Sequence, residues 1–402
     1  MSDFHQHGPI TTLHRLSDSR LGELEQMLLA ACAARRIVLV IPCHAEDVGR
    51  RSVARILDEL ATAGWLKEIV ICANGFSSRD DLVSARRALA SPGAQSARWL
   101  WCDGPNAISI RTALMHEGLL DPDAEPGKGW NVWLAMGFAL AHANSDVIAV
   151  HDADIANYRR EMLVRLCMPL VHGELNYTFA KGYYRRVTEG VMFGRVTRLL
   201  VAPLLRAAVR VFGHQPLLDH LTAFRFPLAG ECAFTADVAR ELPIISGWGL
   251  ELGWLCEVYR RVPPRQICQV ELAANYDHKH RPLNAARGRA GLVDLAREIA
   301  HAFVSELHAE GLVLDAATAH ALKLAFEKAA AEAAERHAHD ALLNAMRHDA
   351  KAELLAVEAF AQVLAETLAG KPRGQFVLPA WNRVVAQSPQ IADRLRELIV
   401  GD

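Results

Sequence analysis

Between Arg36 and about Lys181 the chain alternates short apolar runs with stretches of helical periodicity, and this alternation constrains the fold more than any other feature. Ile37-Val38-Leu39-Val40-Ile41 reads as a buried strand, and Ile69-Val70-Ile71-Cys72 as a second. Trp99-Leu100-Trp101-Cys102 is a weaker third, and Val147-Ile148-Ala149-Val150-His151 a fourth that ends in acidic residues. Gly49 to Ala63, Arg79 to Leu89 and Gly129 to Asn144 carry the helical pattern between them. Strands that alternate with helices imply a mostly parallel, Rossmann-like α/β sheet, and such sheets bind ligands beyond the carboxyl ends of their strands.

The remaining sequence narrows the possibilities. A chain of 402 residues, 51% of them hydrophobic, can bury a large core and still carry an added unit. The net charge of −2 supplies no global basic field to hold a nucleic-acid backbone or an anionic membrane, so neither is expected as a partner. The eight cysteines are scattered without a C-x-x-C pair, which suits reduced thiols in a cytoplasmic protein. The opening residues are polar, and the apolar stretch Leu199 to Val211 is too short to span a bilayer and carries Arg206 and Arg210; it reads as a buried or interfacial helix. From Leu292 to Leu368 the composition shifts to Ala, Leu, Glu, Lys and His, the pattern of amphipathic helices, and Ala329 to Ala338 reads as a packing or dimer surface.

Chemistry concentrates at the strand ends. The first strand leads into Pro42-Cys43-His44-Ala45-Glu46-Asp47, without the G-x-G-x-x-G that cradles a dinucleotide pyrophosphate, and no P-loop occurs. The fourth strand runs into His151-Asp152-Ala153-Asp154. Two carboxylates in an Asp-x-Asp turn can place one oxygen on a divalent Mg²⁺ or Mn²⁺ and another on a ribose hydroxyl; alternatively they cap the loop. Upstream, Glu125-Pro126-Gly127-Lys128-Gly129-Trp130 opens a helix, where a point charge and backbone N–H groups can approach a diphosphate, or where a turn simply carries a surface lysine. Glu251 lies in the apolar, glycine-rich Gly247-Trp248-Gly249-Leu250-Glu251-Leu252-Gly253, where burial is expensive unless the carboxylate meets a hydroxyl or a cation.

Pro126-Gly127-Lys128-Gly129, Asp152-Ala153-Asp154, Tyr184-Arg185-Arg186, Gly194-Arg195-Val196-Thr197, Pro227-Leu228-Ala229-Gly230-Glu231, Gly249-Leu250-Glu251-Leu252-Gly253 and His278-Lys279-His280-Arg281-Pro282-Leu283 occur in that order. The ordered set, spanning Ile37 to Leu283, resembles the glucosyl-3-phosphoglycerate synthase family and its mannosyl-3-phosphoglycerate-forming relatives, retaining enzymes of the glycosyltransferase A fold. The resemblance implies that Asp154 and His278 hold the metal, that Asp152 lies at the ribose, and that Pro42, Cys43, His44, Glu46, Asn74, Gly75, Ala153 and Leu228 line the nucleotide-sugar site. It makes Lys128 the diphosphate contact, with Asp154, Lys128 and Glu251 as the catalytic group and Glu251 on a donor or acceptor hydroxyl. Gly194, Arg195, Val196 and Thr197 become the acceptor loop for 3-phosphoglycerate, with Lys279, His280 and Arg281 as further anion contacts. From the residues alone, the polar run Asp277-His278-Lys279-His280-Arg281 favours His278 as a ligand over a structural histidine, and Lys279 and Arg281 read as solvated charges.

The expected division is an N-terminal segment 1–35, a nucleotide-sugar-binding half 36–182, an acceptor half 183–287 and a helical extension 288–402. The expected reaction moves glucose or mannose from a nucleotide diphosphate-sugar to the 2-hydroxyl of 3-phosphoglycerate, in a homodimer. Glycerate as acceptor and a non-catalytic nucleotide-sugar-binding scaffold are the alternatives. A sugar nucleotidylyltransferase would need a glycine-rich basic loop after the first strand, which Pro42-Cys43-His44-Ala45 is not. The family's second strand leads into an Asp-containing loop, whereas this chain has Ala73-Asn74-Gly75-Phe76, which leaves the nucleobase open.

Overall fold

The computed structural model describes residues 6, 8–17, 20–89, 91–277, 282–284, 291–370 and 376–401. One sheet of eight strands organises them: β1 (Thr11–Leu13), β2 (Ile37–His44), β3 (Leu66–Asn74), β4 (Arg98–Trp101), β5 (Val147–Val150), β6 (Phe179–Tyr184), β7 (Cys232–Thr235) and β8 (Ile267–Ala273). Their spatial order is β1-β8-β6-β7-β5-β2-β3-β4. Every neighbouring pair is parallel except that β7 runs antiparallel to both β5 and β6. The mostly parallel α/β sheet expected from the sequence is therefore the one that forms.

Both faces of this sheet are covered, which is why its strands read as unbroken apolar runs rather than alternating ones. Val38 and Val40 point into the core shared with the Lys128–Ala141 helix. Ile37, Leu39 and Ile41 point the other way, against the Arg51–Leu60 and Arg160–Val171 helices. Within the Lys128–Ala141 helix every residue from Gly129 to Ala139 is buried, because the helix is sandwiched between the sheet and the chain's last segment. Trp133 stacks on Trp130 at 5.5 Å and on Trp381 at 4.1 Å, and Trp133 and Trp381 donate their indole N–H groups to the carbonyls of Pro379 and Trp133. Such large aromatic burial with satisfied N–H groups fixes the helix and the lysine at its start.

Most apolar residues of the Leu199 to Val211 stretch are buried while Arg206 and Arg210 are exposed; it forms the end of a π-helical turn Val196–Val201 that continues into the Ala202–Phe212 helix. Helices Leu292–Ala309, Ala316–Leu343 and Ala350–Ala369 pack around it. The chain then returns to the sheet: Val377–Leu378 pairs with Ile244–Ile245, and the Val400 N–H reaches the Trp99 carbonyl at 2.9 Å. Among the described residues no helix is long and apolar enough to cross a membrane. The cysteines are free thiols, all buried except the partly exposed Cys32.

The strand order sets the place for chemistry. From β2 the chain steps outward to β3 and β4, whereas β5 pairs with the opposite edge of β2. The carboxyl ends of β2 and β5 thus flank the point where the connections diverge, which is where sheets of this kind form their ligand crevice.

Candidate active site

The turn leaving β5 carries His151, Asp152, Ala153 and Asp154 into this crevice. His151 is fully buried, its ring edge-on to Tyr158 at 5.7 Å, and burial lowers its pKa to about 3, so the imidazole is neutral. Asp152 projects instead to the mouth, where its Oδ1 accepts from the Lys128 ammonium at 2.7 Å. The same ammonium donates to Glu251 Oε1, also at 2.7 Å. Lys128, Asp152 and Glu251 are one bonded group.

Two close approaches explain why they meet. Gly129 lies so near the Ile245 carbonyl oxygen that a β-carbon would collide with it, and Trp130 N–H donates to the Ser246 carbonyl at 3.3 Å. The lysine turn is therefore locked to the strand that precedes Glu251. A β-carbon on Gly230 would fall 2.5 Å from Asp152 Oδ2, so only glycine lets the carboxylate rest on that backbone. Lys181, buried in β6, donates to the Ala229 carbonyl at 2.5 Å and holds this turn from behind.

The electrostatics are unbalanced toward negative charge. Burial pulls Lys128 toward neutrality, but the carboxylates of Asp152 and Glu251 outweigh it and raise its pKa, so it remains an ammonium. Asp154 is pushed up to about 7, first by burial and then by Asp152 and Asp47, with Glu231 adding to the effect and Lys128 opposing it. One lysine does not neutralise this many acids. Among the described residues no group of three or more His, Cys, Asp or Glu side chains forms a ready-made metal cage. Asp154 and Asp152 could hold a hard cation that takes its other ligands elsewhere, as Mg²⁺ commonly does from substrate phosphates.

The nucleotide-side loops stand together. His44 and Asn74 are register partners across β2 and β3, which brings Pro42, Cys43, His44 and Glu46 alongside Asn74 and Gly75. Cys43 is buried, while His44 accepts the Glu46 N–H at 3.3 Å and so starts the short helix there. Asp103, just after β4, accepts the Gly75 N–H at 2.6 Å and so supplies a carboxylate to this loop from a different strand. Leu228 is half-buried beside the Gly230 turn.

On the acceptor side, Val196 and Thr197 are buried and Arg195 is partly exposed. Arg195 Nε donates to Glu353 Oε1 at 3.0 Å, a partner 158 residues away that spacing could not reveal. His278, Lys279, His280 and Arg281 lie outside the described residues. The residue before them is placed: Asp277 offers its carbonyl to the Ala156 N–H at 2.7 Å and takes the Asn157 Oδ1 on its own N–H at 3.0 Å.

Sequence reasoning gave no role to Glu231 or Asp47, although both lie in stretches it singled out, nor to Asp103 and Glu353. Glu231 is wholly buried, and the stacked rings of Tyr184 and Tyr276, 3.6 Å apart, each donate a hydroxyl to one of its oxygens. Its pKa is nevertheless raised, by burial and by Asp152. The signal was present, since an acid inside Leu228-Ala229-Gly230-Glu231-Cys232-Ala233-Phe234 raises the same burial question as Glu251. A separate cavity of 430 Å³ opens at the other end of the sheet, lined by Cys32, Arg35, Arg36, Trp65 and Lys67 among others. It is remote from every carboxylate discussed above, and Arg36 there is tied to Asp146 at 2.8 Å.

Fold and site together define the class: a glycosyltransferase A-type α/β enzyme with an acid-lined crevice at the switch point. No family-level sequence model matches the chain. It is 34% identical over 405 residues to the glucosyl-3-phosphoglycerate synthase of Persephonella marina, covering 100% of this chain and 99% of that protein. It is 31% identical over 409 residues to the synthase of Methanococcoides burtonii, covering 100% and 98%. The Mycobacterium tuberculosis synthase in complex with Mn²⁺, UDP-glucose and phosphoglyceric acid matches with a TM-score of 0.53 at 27% identity, over 75% of this chain and 88% of that one. The chain belongs to the glucosyl-3-phosphoglycerate synthase family of glycosyltransferases.

Proposed function

We propose that this chain transfers the glucosyl group of UDP-glucose to the 2-hydroxyl of 3-phosphoglycerate, with retention at the anomeric carbon and with Mg²⁺ or Mn²⁺ as cofactor. The observation that carries this reading is the Lys128 ammonium, 2.7 Å from both Asp152 and Glu251 at the sheet's switch point. UDP-glucose, Mn²⁺ and phosphoglyceric acid are what the mycobacterial relative holds, and a second structure of it holds Mg²⁺ and UDP, with a TM-score of 0.52 at 27% identity.

A divalent cation suits the residues present, because Asp154 sits among Asp152, Asp47 and Glu231 with Lys128 as the opposing positive charge. Asp154 would hold it together with His278, a pairing supported by the bond between Ala156 N–H and the Asp277 carbonyl, which ties the two segments together. Bound there, the cation supplies charge neutralisation for the departing diphosphate.

The chain's own groups do the rest. Lys128, fixed at a helix N-terminus, presents a preorganised positive charge to the diphosphate and needs no reorganisation as negative charge grows there. Asp152 orients the ribose. Glu251, bonded to Lys128 through Oε1, keeps Oε2 for a hydroxyl of the sugar or acceptor. Arg195 takes the phosphate or carboxylate of 3-phosphoglycerate and so sets the attacking hydroxyl on the face from which the diphosphate leaves.

The test is a matrix of UDP-, GDP- and ADP-glucose and GDP-mannose against 3-phosphoglycerate and glycerate, with and without Mg²⁺, read by released nucleotide and product mass. The expected result is fastest transfer with UDP-glucose, 3-phosphoglycerate and metal. Equal or faster transfer to glycerate would overturn the acceptor assignment, and preference for GDP-mannose would overturn the donor assignment.

A further inference from the structure

The helices after residue 291 grip the segment that carries Arg195 at two separate points. At the first, Arg347 donates its backbone N–H to the Gly190 carbonyl at 2.8 Å and its guanidinium to the Glu189 carbonyl at 2.9 Å. At the second, Glu353, in the first turns of the Ala350–Ala369 helix, accepts from Arg195 Nε at 3.0 Å, from Arg198 Nη1 at 2.9 Å and from Arg198 Nη2 at 3.1 Å. Between these points lies the loop 189–198, which opens into the π-helical turn Val196–Val201. Arg198 also donates Nε to the Phe193 carbonyl at 2.9 Å.

The two arginines are used differently. Arg198 is engaged through Nε and both Nη atoms and is 14% exposed in its side chain, so its fork is committed to the loop and to Glu353. Arg195 meets Glu353 through Nε alone and is 32% exposed, so its Nη edge takes no part in that bond. Glu353 itself is 5% exposed in its side chain. Burial pushes its carboxyl up, but the bonds from Arg198 and Arg195 together bring it below the ordinary value, so it stays ionised between them. A buried carboxylate that fixes one guanidinium edge leaves the opposite edge aimed, which is what bidentate capture of an anion requires.

We infer that Glu353 is a positioning residue of the acceptor site: the C-terminal extension, through Glu353 and Arg347, holds Arg195 with its Nη edge presented to the phosphorylated acid. This rests on the acceptor role proposed for Arg195. It gives the extension a part in substrate recognition, although the sequence placed it outside the motifs.

The test measures kcat and KM for 3-phosphoglycerate and for UDP-glucose, with thermal melts, in Glu353→Ala, Glu353→Gln, Arg195→Ala and the Arg195→Ala/Glu353→Ala double variant of the full chain. Glu353→Ala should raise the acceptor KM about ten-fold while the donor KM moves less than about two-fold. Glu353→Gln, which keeps the shape and loses the charge, should raise the acceptor KM by a smaller factor and serves as the test if the alanine variant does not fold. In the Arg195→Ala background the Glu353 substitution should add little, because its effect runs through that arginine. A folded Glu353 variant with normal acceptor KM, while Arg195→Ala raises it, overturns the brace alone. Arg195→Ala with normal acceptor KM overturns the acceptor assignment and the brace with it.

Discussion

Lys128 and Glu251 stand 123 residues apart in the chain and meet at 2.7 Å. One opens the buried Lys128–Ala141 helix and the other lies in the first turn of the Leu250–Arg261 helix. Their bond joins the helix that packs on the sheet beside the Asp-x-Asp turn to a helix more than a hundred residues further along the chain. It also accounts for a carboxylate in an apolar setting, since the nearly buried Glu251 has a cation as partner.

Replacing that cation should be costly in two ways. Lys128→Met should lower kcat/KM by about 10²- to 10³-fold, the loss typical of removing one preorganised charge from a leaving-group site. It should also lower the melting temperature, because Asp152 and Glu251 then face each other without a counter-charge. Steady-state kinetics with thermal melts check both, and near-normal turnover would exclude the diphosphate role.

Asp154 makes the metal-free protein sensitive to pH. Its pKa is 3.8 when exposed and about 7 in the fold, so between those values the folded state holds a proton that the unfolded chain releases. Stability therefore falls as pH rises from about 4 to about 7 and stays low above that. In a chelator, Asp154→Asn should melt higher than the native protein, by a margin that grows from pH 5.5 to pH 8. Mg²⁺ added at pH 8 should raise the melting temperature of the native protein and leave the variant unchanged. A margin that shrinks with rising pH would contradict the sign.

Gly230 offers a steric probe of Asp152. In Gly230→Ala the new β-carbon, 2.5 Å from Asp152 Oδ2, must push the carboxylate away from Lys128. The donor KM should rise about ten-fold with the fold retained, since displacements near 1 Å at a reacting centre carry penalties of this order or larger. Gly22→Ala, where a β-carbon meets nothing within 4 Å, is the control and should leave the kinetics unchanged.

What could be read from the sequence, and what could not, follows from the range of the interactions. β2, β3 and β5 were legible because a strand buried on both faces must be apolar throughout. β6 was not assigned: Lys181 and Gly182 interrupt its apolar pattern, and the buried Lys181 is explained by partners from another part of the chain, the Ala229 carbonyl and Cys232 Sγ. β7 follows directly on the Pro227–Glu231 motif and runs antiparallel to both its neighbours, so it stands outside the strand-helix alternation that marked the parallel strands. At the site, Asp152 and Lys128 stand out from local context, a strand end and a helix start. Glu231 and Glu353 escaped because their partners, two tyrosines and two arginines, come from distant parts of the chain. The tail's helices showed in its composition, but its return to Trp99 and Ile244–Ile245 is a long-range pairing without local periodicity.

The central assignment is a divalent ion held at Asp154 beneath the donor diphosphate, and calorimetric titration of UDP into the protein tests it most directly, with and without Mn²⁺, in the native chain and in Asp154→Asn. The expected result is that Mn²⁺ tightens UDP binding to the native protein by about 10-fold or more, a linkage of at least ~1.4 kcal/mol, and does nothing for the variant. Equal enhancement by Mn²⁺ in the two proteins would place the ion elsewhere and contradict the assignment.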